Sequence, residues 1–303
     1  MSAPAPIRIL VTGVNGQVAR ALMERGASGG DAILLVGRPE LDLADPSSIT
    51  RAIAASRPEI VVNAAAYTAV DRAEGEPEQA MRVNGEGAGA VARASAAIGA
   101  PIIHLSTDYV FDGTSAVPYR EDDPTSPMSA YGRSKLAGEI AAAEGNPSHV
   151  ILRTAWVYSP YGGNFVATML RLSQTRAEVA VVADQFGAPT SALDIADGVL
   201  AVARRLRARP DEASLRGIFH MTGAGAANWA EFAQAVFDEA AKRGRSPARA
   251  RPITTAEYPT AAKRPANSRL DTRKLERLYG VTLPPWRVSL ADCVARLLSP
   301  RQE

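Results

Sequence analysis

The chain has 303 residues, 46% of them hydrophobic and 22% charged, the balance of a soluble globular protein long enough to bury a full core. A formal charge of +2 gives no field that favours nucleic acid or an anionic membrane as a partner. The single cysteine, Cys293, excludes an internal disulfide, and the scattered histidines His104, His149 and His220 lack ligand spacing, so no metal is expected.

In chain order, short apolar runs predict strands at IRILVTG (7–13), AILLVG (32–37), EIVVNAAA (59–66), PIIHLST (101–107) and HVILRTAWVY (149–158). Alanine-rich stretches between them predict helices at 17–25, 45–56, 76–99 and 128–144. Asp45 before Pro46 and Ser129 before "AYGRSK" are the expected caps. Continuous apolar strands alternating with helices mean βα units and a parallel sheet covered on both faces. The second half is less regular: a strand, a turn and a helix over 178–208, a strand at GIFHMTG (217–223), and a helix over 228–243. A proline-rich basic loop and helices over 271–280 and 286–298 complete it. The start, "MSAPAPIRIL", has no charged-then-apolar leader, and no apolar run approaches bilayer length, so a cytoplasmic location without membrane contact is expected.

"ILVTGVNGQVARAL" sets Gly13 and Gly16 at the turn from the first strand into the first helix. Gly13 permits a tight turn, and Gly16 lets backbone approach a pyrophosphate. Asn15, Gln17 and Val18 belong to the same turn and to the helix start that would receive the phosphates. The second strand ends at Gly37 and Arg38, not at the acidic residue that binds the ribose hydroxyls of NAD. An arginine there suits a 2′-phosphate, so NADPH is expected, with NADH possible, and Asp42 and Leu43 are placed near the adenine. Tyr131 and Lys135 in "YGRSK" share one helix face, as any residues at i and i+4 do, so spacing alone does not make them a catalytic pair. Composition adds weight, because Lys135 is one of four lysines in the chain and the only one before Lys242.

These residues resemble the extended short-chain dehydrogenase/reductase superfamily, which carries a Ser/Thr about 25 residues before Tyr-x-x-x-Lys, here Ser106 and Thr107 in "HLSTDYVFDG". Further stretches are similar to the dTDP-4-dehydrorhamnose reductase family: "NAAAYTAVDRAE", "LRTAWVY", "GGNFVATMLRL", "DQFGAPTSALDIAD" and "KRPANSRLDTRKL". Departures are Ala19 at the third glycine position, Arg133 where glutamate is common, and Ala21 where some members hold magnesium between subunits.

The resemblance implies a Rossmann-type, doubly wound α/β fold with a smaller helix-rich substrate domain. The expected division is an NADP(H)-binding domain over 1–155 with a returning segment at 190–222, and a nucleotide-sugar domain over 156–189 and 223–303. It implies reduction of the C4 ketone of a dTDP-sugar by a monomer or homodimer. Tyr131 is then the acid, Lys135 the group that lowers its pKa and holds the nicotinamide ribose, and Thr107 a donor to the same oxygen. Ala65, Ala66 and Tyr67 line the nicotinamide side, and Asn84 is structural. Asp108, Tyr109, Trp156, Gln185, Phe186, Asn267 and Arg269 are the expected substrate contacts. A nucleotide-sugar epimerase or dehydratase on the same fold, or a non-catalytic dinucleotide-binding regulatory subunit, remain the alternatives.

Overall fold

A computed structural model describes residues 6–299. Its first half runs β1 (Arg8–Thr12), α1 (Gln17–Gly29), β2 (Ala32–Val36), α2 (Pro46–Ser56), β3 (Ile60–Asn63), α3 (Val70–Ala73), α4 (Pro77–Met81), α5 (Gly87–Ala97), β4 (Ile102–Thr107), α6 (Ala130–Gly145) and β5 (His149–Thr154). The second half runs β6 (Val157–Tyr158), α7 (Phe165–Ser173), β7 (Glu178–Val182), β8 (Phe186–Gly187), β9 (Thr190–Ser191), α8 (Ala192–Ala208), β10 (Gly217–His220), β11 (Ala227–Asn228), α9 (Trp229–Ala241), β12 (Arg249–Ile253), α10 (Arg273–Tyr279) and α11 (Trp286–Leu298).

Six strands form one parallel sheet in the order β10-β5-β4-β3-β1-β2. Alternation along each strand splits its apolar residues between two cores. Ile9, Val11, Ile60, Val62 and Ile103 face α1 and α8, while Leu10, Val61 and Ile102 face α2 and α5. The chain leaves β1 outward to β2 and then crosses back to β3 on the other side. That reversal opens a crevice at the carboxyl ends of β1 and β3, where this class of sheet binds ligands. The expected doubly wound α/β architecture is therefore present.

A second core surrounds Phe232 and draws on α7, α9, α11, β7 and β12. The two cores alternate along the chain: α10 places Leu275 and Tyr279 against the sheet, and α11 then returns Leu290 and Val294 to the second core.

Three elements differ from the sequence expectation. The run 149–158 is not one strand. Trp156 takes φ +49°, in the left-handed region, so the chain breaks after β5 and β6 pairs with β9 instead. The basic proline-rich loop contains β12, which pairs in parallel with β7 and buries Ala250 and Ile253. Proline 252 is tolerated because each strand of this two-stranded sheet is an edge. The helix expected over 76–99 is α4 and α5 joined by a π turn, Arg82–Glu86, which carries Asn84. Facing that turn, Gly138 lets α6 approach so closely that a Cβ there would sit 2.1 Å from the Asn84 carbonyl oxygen.

Candidate active site

At the head of the crevice, Gly13 follows β1 at φ +89° and donates its N–H to the Val36 oxygen at 2.6 Å. Its missing side chain matters, since a Cβ would lie 3.3 Å from that of Ala65. Gly16 caps α1 without any side-chain hydrogen bond, and a Cβ added to it would meet nothing nearer than Ala19 at 4.0 Å. Open space thus lies before a helix N-terminus whose first-turn N–H groups no side chain caps, which is the arrangement that receives a phosphate. Asn15 and Val14 are exposed beside it, and Val18 is half-buried. Gln17 is already engaged, because its Oε1 accepts from Ser159 Oγ at 2.7 Å. Arg38 is exposed just past β2. Asp42 holds its own loop by accepting from the Ala44 N–H, and Leu43 is buried in the core beside α2 and α5.

The far wall of the crevice is built after β3. The N–H groups of Ala64 and Ala65 donate to Thr12 Oγ1 at 3.1 and 3.0 Å, and Ala66 follows them half-buried. Asn84 then clamps the backbone of Tyr67 from both sides, accepting its N–H at 2.7 Å and donating to its oxygen at 3.0 Å. The same Asn84 donates to Ser134 Oγ, which bonds the Tyr131 carbonyl. One asparagine in a π turn therefore fixes the crevice wall relative to the helix bearing Tyr131. The rings of Tyr67 and Tyr131 pack on one small cluster of Ala73, Ala80 and Ala130.

Ser129 caps α6 by accepting the Gly132 N–H at 3.0 Å, so Tyr131 sits in the first turn and Lys135 one turn later. Burial pushes the Tyr131 phenol above its ordinary range, with Thr107 opposing the effect and Asp108 and Tyr109 adding to it. Lys135 is buried and its ammonium is pulled down to about 8 by desolvation, against the pull of Glu139. Its Nζ donates to the Leu105 oxygen at 2.7 Å and meets His104 Nε2 at 3.4 Å. The expectation that Lys135 acidifies Tyr131 is not what governs the phenol here: burial dominates, and Lys135 is not among the groups that shift it.

Ser106 and Thr107, read together from the sequence, part company. Ser106 donates to Glu139, which also takes two hydrogen bonds from Arg153, all of them buried. Thr107 ends β4, donates to Asp108 Oδ1 at 2.9 Å and accepts the Tyr109 N–H. Asp108 is buried, no hydrogen bond reaches its Oδ2, and desolvation raises it to about 6. Burial also raises Tyr109 to about 12, and its ring meets that of Tyr131 edge-on at 5.6 Å.

The expected substrate contacts divide in the same way. Asn267 is buried and donates to the Ser115 and Val117 oxygens while accepting from Arg269 Nε at 2.7 Å. Arg269 also donates to the Ala116 oxygen, so both side chains hold the 115–117 loop. Gln185 donates to Thr255, and Phe186 is exposed while its backbone bonds Ala266 and Ser268. Trp156 stacks on Trp229 at 3.5 Å and presses on Gly187. Arg264, which the sequence reading passed over, lies near enough to Tyr109 to pull its phenol down and pairs with Asp71 at 2.6 Å. Its Nη1 is buried without a partner. Nothing in "KRPANSRL" distinguishes Arg264 from Arg269; only the fold does. A cavity of about 1010 Å³ elsewhere lies between α6 and α10, away from the crevice, with Ile140, Ile218 and Lys274 in its walls. No group of acidic, histidine or cysteine side chains fit to hold a metal exists among the described residues.

Residues 7–299 match the family described as the RmlD substrate binding domain. The chain is 52% identical over 292 residues to a dTDP-4-dehydrorhamnose reductase of Sinorhizobium fredii, covering 96% of this chain and 98% of that one. It is 47% identical to a protein of the same name from Burkholderia thailandensis, covering 97% and 100%. A crystal structure of dTDP-4-dehydrorhamnose reductase from Bacillus anthracis in complex with NADP superposes with a TM-score of 0.88 at 34% identity, covering 96% of this chain and 99% of that one. The crevice, the Tyr131–Lys135 helix and these matches agree, and the chain belongs to the dTDP-4-dehydrorhamnose reductase family.

Proposed function

We propose that this chain reduces the C4 ketone of dTDP-4-dehydro-L-rhamnose to dTDP-L-rhamnose with NADPH. The observation that carries the reading is the junction of two sites: the Gly13–Ala65 crevice and the Tyr131–Thr107 pair meet at the carboxyl edge of one sheet, with Tyr67 and Tyr131 packed on one cluster. Gly13 and Gly16 at an uncapped helix start fit a pyrophosphate, and exposed Arg38 fits a 2′-phosphate. Bound there, NADPH supplies the hydride.

As the ketone oxygen gains negative charge it needs a proton, and Tyr131 is the group proposed to give it. Burial keeps that phenol protonated, which suits a donor; the alkoxide it meets is a stronger base than a phenolate. Thr107 is placed to steady the same oxygen: the N–H of Tyr109 fixes its hydroxyl oxygen, and its one proton, given to Asp108 Oδ1 in this structure, turns to the ketone oxygen as charge develops there. Lys135 is assigned to the nicotinamide ribose. Arg264, with a buried unpartnered Nη1 beside Tyr109, is the preferred cation for the sugar nucleotide; Asn267 and Arg269 shape the loop around it.

The test is to incubate purified protein with dTDP-4-dehydro-L-rhamnose and NADPH, following coenzyme absorbance and product by NMR. One dTDP-L-rhamnose per NADPH oxidised is expected. A product changed in configuration with no coenzyme consumed would instead make the protein an epimerase.

A further inference from the structure

Thr12 and Asn63 end β1 and β3, and His104 lies within β4. Continuation of the β1–β3 register and the Asn63↔His104 pairing set them in one buried row leading to Lys135. Their protons can be assigned by counting. Thr12 Oγ1 accepts two N–H groups, from Ala64 at 3.1 Å and Ala65 at 3.0 Å, and this uses both its lone pairs. Its own proton must therefore be donated, and its remaining partner, Asn63, at 2.7 Å, must present its carbonyl oxygen. The amide nitrogen of Asn63 then faces His104 Nδ1 at 3.0 Å and donates to it. His104 is buried and neutral, with desolvation the first cause that holds its pKa well below the usual value. Its one ring proton is thus on Nε2, pointing at Lys135 Nζ 3.4 Å away.

We propose that Thr12, Asn63 and His104 form a positioning chain for Lys135, which presents an N–H to the lysine nitrogen and so favours the neutral amine in the absence of coenzyme. An ammonium facing that N–H makes a contact between two donors. An amine accepts from it and still donates to the Leu105 oxygen. The titratable side chains facing Lys135 are His104 from β4 and, from α6 itself, Glu139 and Tyr131, a phenol kept neutral by burial; Glu139 favours the ammonium, but Arg153 from β5 already binds both its oxygens. Coenzyme binding then has a proton to take up at Lys135, and His104 sets the pH at which it does.

The inference rests on the proposed reaction only for its bearing on turnover, because its direct test needs no substrate. Long-range 15N–1H correlation of the histidine rings in wild-type protein is expected to show His104 as the Nε2–H form, unchanged between about pH 5 and 9. An Nδ1–H form, or titration in that range, would overturn the assignment. With only four lysines in the chain, 15Nζ titration reads Lys135 directly. His104→Ala admits water, an acceptor for the ammonium, and is expected to raise the Lys135 midpoint by about one pH unit, the worth of one hydrogen bond. His104→Gln, which restores an acceptor toward Asn63 and a donor toward Lys135, is expected to return it to the wild-type value. An unmoved midpoint in His104→Ala, or a Gln variant that behaves like Ala, would show that burial alone sets the lysine.

Discussion

Glu139 grips Arg153 through two parallel hydrogen bonds, 2.9 Å to Nε and 2.7 Å to Nη2, one helical turn beyond Lys135 and with both side chains only 2% exposed. The pair ties α6 to β5 and so fixes the height of Lys135 above the sheet. Removing one partner strands a buried charge, so Glu139→Gln is expected to lower unfolding free energy by about 3–5 kcal/mol. Urea denaturation followed by circular dichroism checks this; a loss below about 1 kcal/mol would mean that water reaches Arg153.

Tyr131→Phe removes the proposed proton and little else, since the ring keeps its edge-on contact with Tyr109. Turnover is expected to fall by about 10²–10⁴-fold while NADPH affinity, read by fluorescence titration, changes less than about threefold. Activity near wild type would move the acid elsewhere, with Asp108 the next group to examine.

Arg38 is exposed, with no other task evident at the end of β2. Arg38→Ala is expected to lower the ratio of NADPH to NADH efficiency by about tenfold or more, through loss of a charge-assisted phosphate contact. An unchanged ratio would place the 2′-phosphate contact on another side chain.

Asp108 gives a pH signature. Its folded pKa, about 6, is raised above the ordinary 3.8 by burial, so the protonated acid is the form the fold prefers. A raised folded value means a contribution fully present below about pH 4 that is lost as pH rises through 6. Wild-type protein is therefore expected to lose about 2–3 kcal/mol of this contribution between those values. Asp108→Asn should flatten that part of the stability curve and be the more stable protein at pH 8. Parallel curves for the two proteins would show that Asp108 is not desolvated in solution.

Much of this was legible in the sequence because it rests on local rules. Period-two and continuous apolar runs gave β1 to β5, and Asp45 and Ser129 cap the helices they were expected to cap. A helix puts Tyr131 and Lys135 on one face, and the resemblance to the Tyr-x-x-x-Lys of the short-chain dehydrogenase/reductase superfamily is what made them a pair. What stayed hidden depends on partners far apart in the chain. Trp156 reverses its backbone to reach β9, and β12 exists because β7 offers an edge to residues with poor strand composition. His104 reads as one polar residue in an apolar strand until the register sets it beside Asn63. Arg269, expected at the substrate, is taken up by Asn267 and the Ala116 oxygen, while Arg264, five residues earlier and given no role by the sequence, keeps a buried Nη1 without a partner.

The most direct measurement is a crystal structure of the protein with NADP and dTDP-L-rhamnose bound together. Tyr131 Oη is expected within about 3 Å of the C4 hydroxyl, with that carbon against the nicotinamide ring. A sugar seated with its C4 beyond reach of Tyr131, and beside a different proton donor, would contradict the account.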